Sequence, residues 1–232
     1  MSGSSSQLKF FFRCALLFTV TTHIGCHTDE PSPSASISYN VISNGMKKDW
    51  NHLGFHSGDR IPNFTLYDQD GKKFELSSEL KLGKPVVLIS ASYTCDVTRS
   101  NIPAIKRISS KNGTTDHFFI VYLIEAHPTD VPGPYSADRK IWISANNIRD
   151  HVAATQPKIY QQRVDISKKW KQVYDIHLPI LLDNPDNFFW TNFGEAPNMV
   201  YVILPGNIVY YKQAWFNEHL LEEKLQALAS IR

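Results

Sequence analysis

The chain has 232 residues, 42% of them hydrophobic and 20% charged, an ordinary globular composition that fits one sizeable domain plus an appendage. A formal net charge of +2 excludes the strong basic field that draws a protein to nucleic acid. The nine histidines are scattered and add charge only at mildly acidic pH.

In chain order, the first predicted element is an export signal. Lys9 and Arg13 give a positive start, and Cys14 to Ile24 is an apolar stretch of the length of a signal core. It is too short and too rich in threonine to span a bilayer, which takes about 20 apolar residues. It ends at His23-Ile24-Gly25-Cys26, which resembles the lipobox of bacterial lipoproteins. That resemblance implies lipidation of Cys26, a membrane anchor and an extracytoplasmic location. Residues 1–26 therefore read as the signal, 27–53 as a polar tether or linker, and 54–232 as the folded domain. After processing at Cys26, Cys95 is the last free thiol, and no internal disulfide is available.

The domain opens with a strand at Pro62 to Leu66, a hairpin turn with Asp70-Gly71 at its tip, and a return at Phe74 to Leu76. After Gly83-Lys84-Pro85, Val86 to Ser90 is a continuous apolar run, as in a strand buried on both faces. Cys95 follows, then a helix to about Ile108 with Ile102, Ile105 and Ile108 on one side. His117 to Leu123 is a second buried strand, with the loop Glu125 to Asp130 at its end. Residues 131–160 carry only weak periodicity between Pro132, Pro134 and Pro157. A helix over Gln161 to Tyr174, a strand at Ile180 to Leu182, a hairpin over Met199 to Tyr211 and a last helix near Asn217 to Ile231 complete the set. This order predicts an α/β fold: a central mixed sheet with helices on both faces and an N-terminal β-hairpin extension. Sites in such sheets form at the carboxyl ends of strands, where Cys95 and the Glu125 loop both fall.

Cys95 sits between a strand and a helix, where amides and the helix dipole stabilise a thiolate. Arg99 adds to that effect and Asp96 opposes it; the alternative is an inert, buried cysteine. Ser92 and Thr94 either hydrogen-bond the thiolate or cap the local turn. His52-x-x-x-His56 has metal-ligand spacing but precedes the domain, so no metal or other cofactor is expected. The aromatic residues at 142, 170, 190, 211 and 215 read as core or rim.

Gly58 to Leu66, then Asp70-Gly71, Leu76-Ser77 and Gly83 to Leu88, resemble the opening of the redoxins of the thioredoxin superfamily. Cys95 and Pro103 keep the spacing of a redoxin Cys-x-x-Cys and its following proline, but Thr98 replaces the second cysteine. Ser92-Tyr93-Thr94-Cys95, Val121-Tyr122-Leu123-Ile124-Glu125-Ala126-His127-Pro128-Thr129-Asp130, and Ala196 to Ile203 resemble iodothyronine deiodinases. The resemblance implies a thioredoxin-like domain over 54–232, with Cys95 as nucleophile where the family has selenocysteine. It implies His127 as acid or base, Glu125 as the group orienting His127, and Thr94 beside the nucleophile. Asp96 and Val97 stand in place of a Pro-Pro pair and Ile124 in place of a Glu. Gln162 lies near a family His-Arg pair of which Arg163 is kept, and Met199 replaces an Arg that grips the hormone.

The expected activity is thiol-dependent reduction of a small soft electrophile, such as an aryl halide, with a small or protein thiol as external reductant. A one-cysteine peroxidase is the second reading: Ser92 occupies the motif's Thr place, but Leu88 its Pro place. The third is an inactive, membrane-tethered binding module with a thioredoxin fold.

Overall fold

The computed structural model describes residues 29–39 and 49–231. The signal segment and Cys26 lie outside the described residues.

The hairpin forms from β1 (Thr65–Asp68) and β2 (Lys73–Glu75), paired Thr65 to Glu75 across the predicted turn. The Asp68 carboxylate accepts from the amides of Asp70 and Lys72, and Gly71 takes a positive φ of 79° that suits glycine. The predicted return strand is displaced by one residue. Leu76 instead opens a short helix, α1 (Leu76–Leu80), because the Asn63 side chain accepts from the Ser77 amide and turns the chain.

The core strand β3 (Val86–Ala91) is buried throughout, as its unbroken apolar run requires. Then come α2 (Asp96–Asn112), β4 (His117–Tyr122), the short α3 (Ala145–Arg149), α4 (Tyr160–Val173) and β5 (Ile180–Leu182). A second short helix, α5 (Phe188–Phe193), precedes the hairpin β6 (Val200–Leu204) and β7 (Ile208–Gln213) and the closing helix α6 (Glu218–Ala229). The described residues form a seven-stranded sheet in the order β2-β1-β5-β4-β3-β6-β7. Strands β3, β4 and β5 are parallel, and the hairpins join antiparallel at the edges, so the sheet is mixed as expected.

Alternation along β3 sends Val87 and Ile89 to one face, where they pack against Ile105 and Ile108 of α2 and Leu221, Leu225 and Leu228 of α6. Further along that face, Trp170 of α4 packs with Ile120, Tyr122 and Leu182. Val86 and Leu88 face the other way, into a core with Leu76, Phe64, Phe189 and Phe193. Helices thus cover both faces.

Part of the expected tether is docked. Ile37 is buried, its amide donates to Lys158 O, and the Ser38 amide donates to Pro185 O. Ser36 bridges Ile159, and the Tyr39 hydroxyl donates to Pro132 O. Ser and Pro dominate this stretch, but its single large aliphatic residue gives it a place to anchor.

Candidate active site

The crossover from β3 to α2 puts Cys95 at the helix N-cap, its Sγ accepting from the Thr98 amide at 3.4 Å. The thiol is 1% exposed, and burial pushes its pKa up to about 11. Hydrogen bonds from Thr98 pull the other way, while the neighbouring Asp96 charge adds to the rise. Position alone therefore does not make Cys95 a resting thiolate. Arg99 does not correct this: its guanidinium donates to Tyr93 O and pairs with Asp150 at 3.6 Å.

The loop after β4 meets the Cys95 turn through Glu125. This fully buried carboxylate accepts from the Thr94 amide at 2.8 Å and the Thr94 hydroxyl at 2.6 Å. The Tyr122 hydroxyl donates to its other oxygen. Burial raises the pKa of Glu125, and the bonds from Thr94 and Tyr122, with the Arg163 cation, oppose that rise. The Thr94 hydroxyl also accepts from the His127 amide at 3.0 Å. Glu125 thus holds the loop that carries Cys95; it does not meet the His127 ring, contrary to the expected orienting role. Nor do Ser92 and Thr94 meet the thiol, because the Ser92 hydroxyl accepts from the Ala126 amide at 3.3 Å.

The His127 ring lies over the start of α2. Its Nδ1 is 3.3 Å from Trp142 O and its Nε2 3.7 Å from Asp96 Oδ1. Burial lowers its pKa, and Asp96 opposes that. Trp142 sits edge-on to the ring at 4.5 Å between centroids.

The stretch 131–157, weakly patterned in sequence, builds much of the site. Ser144 caps α3, and Asn146 donates to Asp96 Oδ2 at 3.0 Å. Asn147 donates to Thr94 O at 2.9 Å, and Gln156 Oε1 accepts from the Glu125 amide at 2.9 Å. The signal that points to this helix is Ser144-Ala-Asn-Asn147, a cap residue before a short polar turn. Tyr135 packs in the same core cluster as Cys95 and donates to Glu195 O at 2.7 Å. Tyr135, Ile141 and Trp142 line a cavity of about 340 Å³ beside the site. A cavity of about 400 Å³ near Phe74, Glu79 and His117 lies at the opposite ends of the strands and takes no part in this chemistry.

Two positions tied to the family pattern are structural here. Arg163 is buried and donates to Asp183 O, Asn184 O and Asn187 Oδ1. Met199 is buried in the core, its amide bonded to the Ser90 hydroxyl at 2.7 Å. Among the described residues there is no group of three or more His, Cys, Asp or Glu placed to hold a metal ion.

The family model for iodothyronine deiodinase matches residues 22–227. The thyroxine 5-deiodinase of Ovis aries is 24% identical over 190 residues, covering 80% of this chain and 59% of that protein. The type I iodothyronine deiodinase of Xenopus laevis is 22% identical over 153 residues, covering 66% of this chain and 55% of its own length. The chain thus spans less than two thirds of these curated relatives. Among solved structures, a candidate protein disulfide isomerase from Bacteroides thetaiotaomicron superposes with a TM-score of 0.51 at 17% identity, covering 76% of this chain and 91% of the other. A peroxidoxin from Mycobacterium tuberculosis gives 0.50 at 18% identity, covering 78% and 99%. The fold is thioredoxin-like.

Proposed function

The chain belongs to the iodothyronine deiodinase family, and we propose that it is a thiol-dependent reductase with Cys95 as its nucleophile. The observation that carries this reading is the joint between the two strand ends. The buried Glu125 fixes Thr94, the residue before Cys95, and the Thr94 hydroxyl accepts from the His127 amide. A buried carboxylate spent on holding a loop next to a lone cysteine fits a site that must be kept in one geometry.

The chemistry balances with one cysteine. The Cys95 thiol gives up its proton and its sulfur takes halogen from an aryl halide, forming S–halogen as the carbon–halogen bond breaks. The carbon gains a proton. A first external thiol displaces halide to give a mixed disulfide, and a second releases Cys95 as the thiol and leaves as a disulfide. With a peroxide, the sulfur takes oxygen instead and water leaves after reduction.

The burial of Cys95 favours a second reading, a non-catalytic binding module, since a thiol with a pKa near 11 is a poor nucleophile at rest. Turnover separates the two. The enzyme reading expects iodide from an iodinated phenol, or loss of peroxide beyond one equivalent per chain, only with added thiol and not in Cys95→Ser. No turnover in the parent with any thiol supports the module, and turnover in Cys95→Ser removes Cys95 as the nucleophile. Lys9, Arg13, the apolar run and Gly25-Cys26 support export and anchoring through a lipidated Cys26, which mass spectrometry of the membrane fraction reads directly.

A further inference from the structure

Residue 96, directly after Cys95, is a carboxylate whose Oδ1 lies 3.7 Å from Nε2 of His127. It is held there: its Oδ1 accepts from the Val97 amide at 3.0 Å, its Oδ2 from Asn146 at 3.0 Å, and Ser144 adds a further hydrogen bond. The His127 ring has an oxygen opposite each nitrogen, Trp142 O at Nδ1 and Asp96 Oδ1 at Nε2. Both oxygens only accept. A neutral imidazole carries a proton on one nitrogen, so one oxygen faces a lone pair; the imidazolium can donate to Trp142 O while setting a positive N–H within ion-pair range of Asp96. The ring is 6% exposed, so little solvent screens the mismatch.

We propose that Asp96 is a positioning residue that loads a proton onto Nε2 of His127, making His127 the acid that protonates the group leaving from the electrophile. This rests on the reductase reading above. In the balanced step, the sulfur takes the halogen or oxygen, the electron pair of the broken bond goes to the leaving carbon or oxygen, and the Nε2 proton closes it. The neutral imidazole left behind regains its proton when the external thiol ionises to attack Cys95. The charges around the ring are Asp96 and Arg99 from α2, with Asp150 paired to Arg99 and Arg149 beyond it. Burial opposes the imidazolium most and Arg99 opposes it too; Asp96 favours it, with Trp142 O adding to that.

The same fixed negative charge faces Cys95 and favours its protonated form. Removing it must therefore move two titrations in one direction. In Asp96→Asn, the His127 midpoint read by NMR falls by about one pH unit, and the midpoint of Cys95 alkylation falls as well. The bell-shaped activity profile then shifts bodily to lower pH, because one limb needs the charged imidazole and the other the thiolate. A role confined to packing lowers the profile without moving it. Asn146→Ala, an exposed change that frees Asp96 without removing it, gives a smaller shift of the same sign should Asp96→Asn fail to fold. An unchanged His127 midpoint in the folded variant overturns the proposal. A shifted midpoint in a chain that turns over no electrophile leaves the pairing standing and sinks the reductase reading instead.

Discussion

At the residue scale the deciding group is Cys95, and two effects compete on it. A helix N-terminus favours the thiolate by roughly 0.3–1 kcal/mol near the surface. Burial in an apolar cluster opposes it more strongly, and the net result is a pKa near 11. Two consequences can be measured. Alkylation of Cys95 at neutral pH should be about a hundred-fold slower than for an ordinary exposed thiol, since the thiolate fraction falls tenfold per unit. Unfolded, the same thiol ionises near its usual value of 9.0, so the fold keeps its full stability below that pH and loses it as the pH rises toward 11. Buried tyrosines such as Tyr122 and Tyr135 lose stability in the same pH range in any variant, so urea titration should show the parent losing on the order of 2–3 kcal/mol more than Cys95→Ala. A parent and variant that track each other from pH 9 to 11 would mean the thiol is not buried as described.

At the scale of elements, the site is two strand ends clamped by a segment with no repeating face. The strands and long helices were legible in the sequence because each buries a face or a whole run: Val86 to Ser90, Ile102-Ile105-Ile108 and Leu221-Leu225-Leu228 all pack as their spacing requires. So was the convergence of Cys95 with the Glu125 loop, which needs only that two parallel strands end together. Helix α3 was not legible. It is five residues long, and its hold on the site comes from single polar contacts that leave no period. Helix α5 was hidden differently: its start is capped from a distance by Asp183, which accepts from the Phe189 and Trp190 amides at 2.7 and 2.9 Å. The wrong role for Glu125 came from expecting it to act on its sequence neighbour rather than across the site on Thr94.

The clamp makes a signed prediction. Asn147→Asp sets a carboxylate oxygen against Thr94 O, whereas Asn147→Ala only removes a donor. Losing the donor leaves a buried carbonyl unpaired and should cost about 1–3 kcal/mol; the aspartate should cost more. Denaturant midpoints at pH 7 order the two variants, and an aspartate milder than the alanine would show that Thr94 O is not the partner.

At the scale of the whole molecule, a thioredoxin-like sheet is wrapped on one side by a stretch that sequence composition marks as loose. Ile37 seats that stretch against the chain around Lys158 and Pro185, and Tyr39 ties it to Pro132 below the His127 loop. Ile37→Ala should cost about 2–4 kcal/mol, lowering Tm by roughly 5–15 °C in a domain of this size. An unchanged Tm would mean that the segment leaves its seat in solution.

The central claim, that Cys95 is the nucleophile of a thiol-dependent reduction, meets its most direct test in a single-turnover burst. Purified protein, its thiol reduced and the excess reductant removed, is mixed with an iodinated phenol, and deiodinated phenol is counted against protein. A one-cysteine cycle predicts at most one deiodinated phenol per chain, an iodine adduct at Cys95 by mass spectrometry, release of iodide and further turnover on adding thiol, and no burst from Cys95→Ser. A burst from Cys95→Ser equal to that of the parent would contradict it.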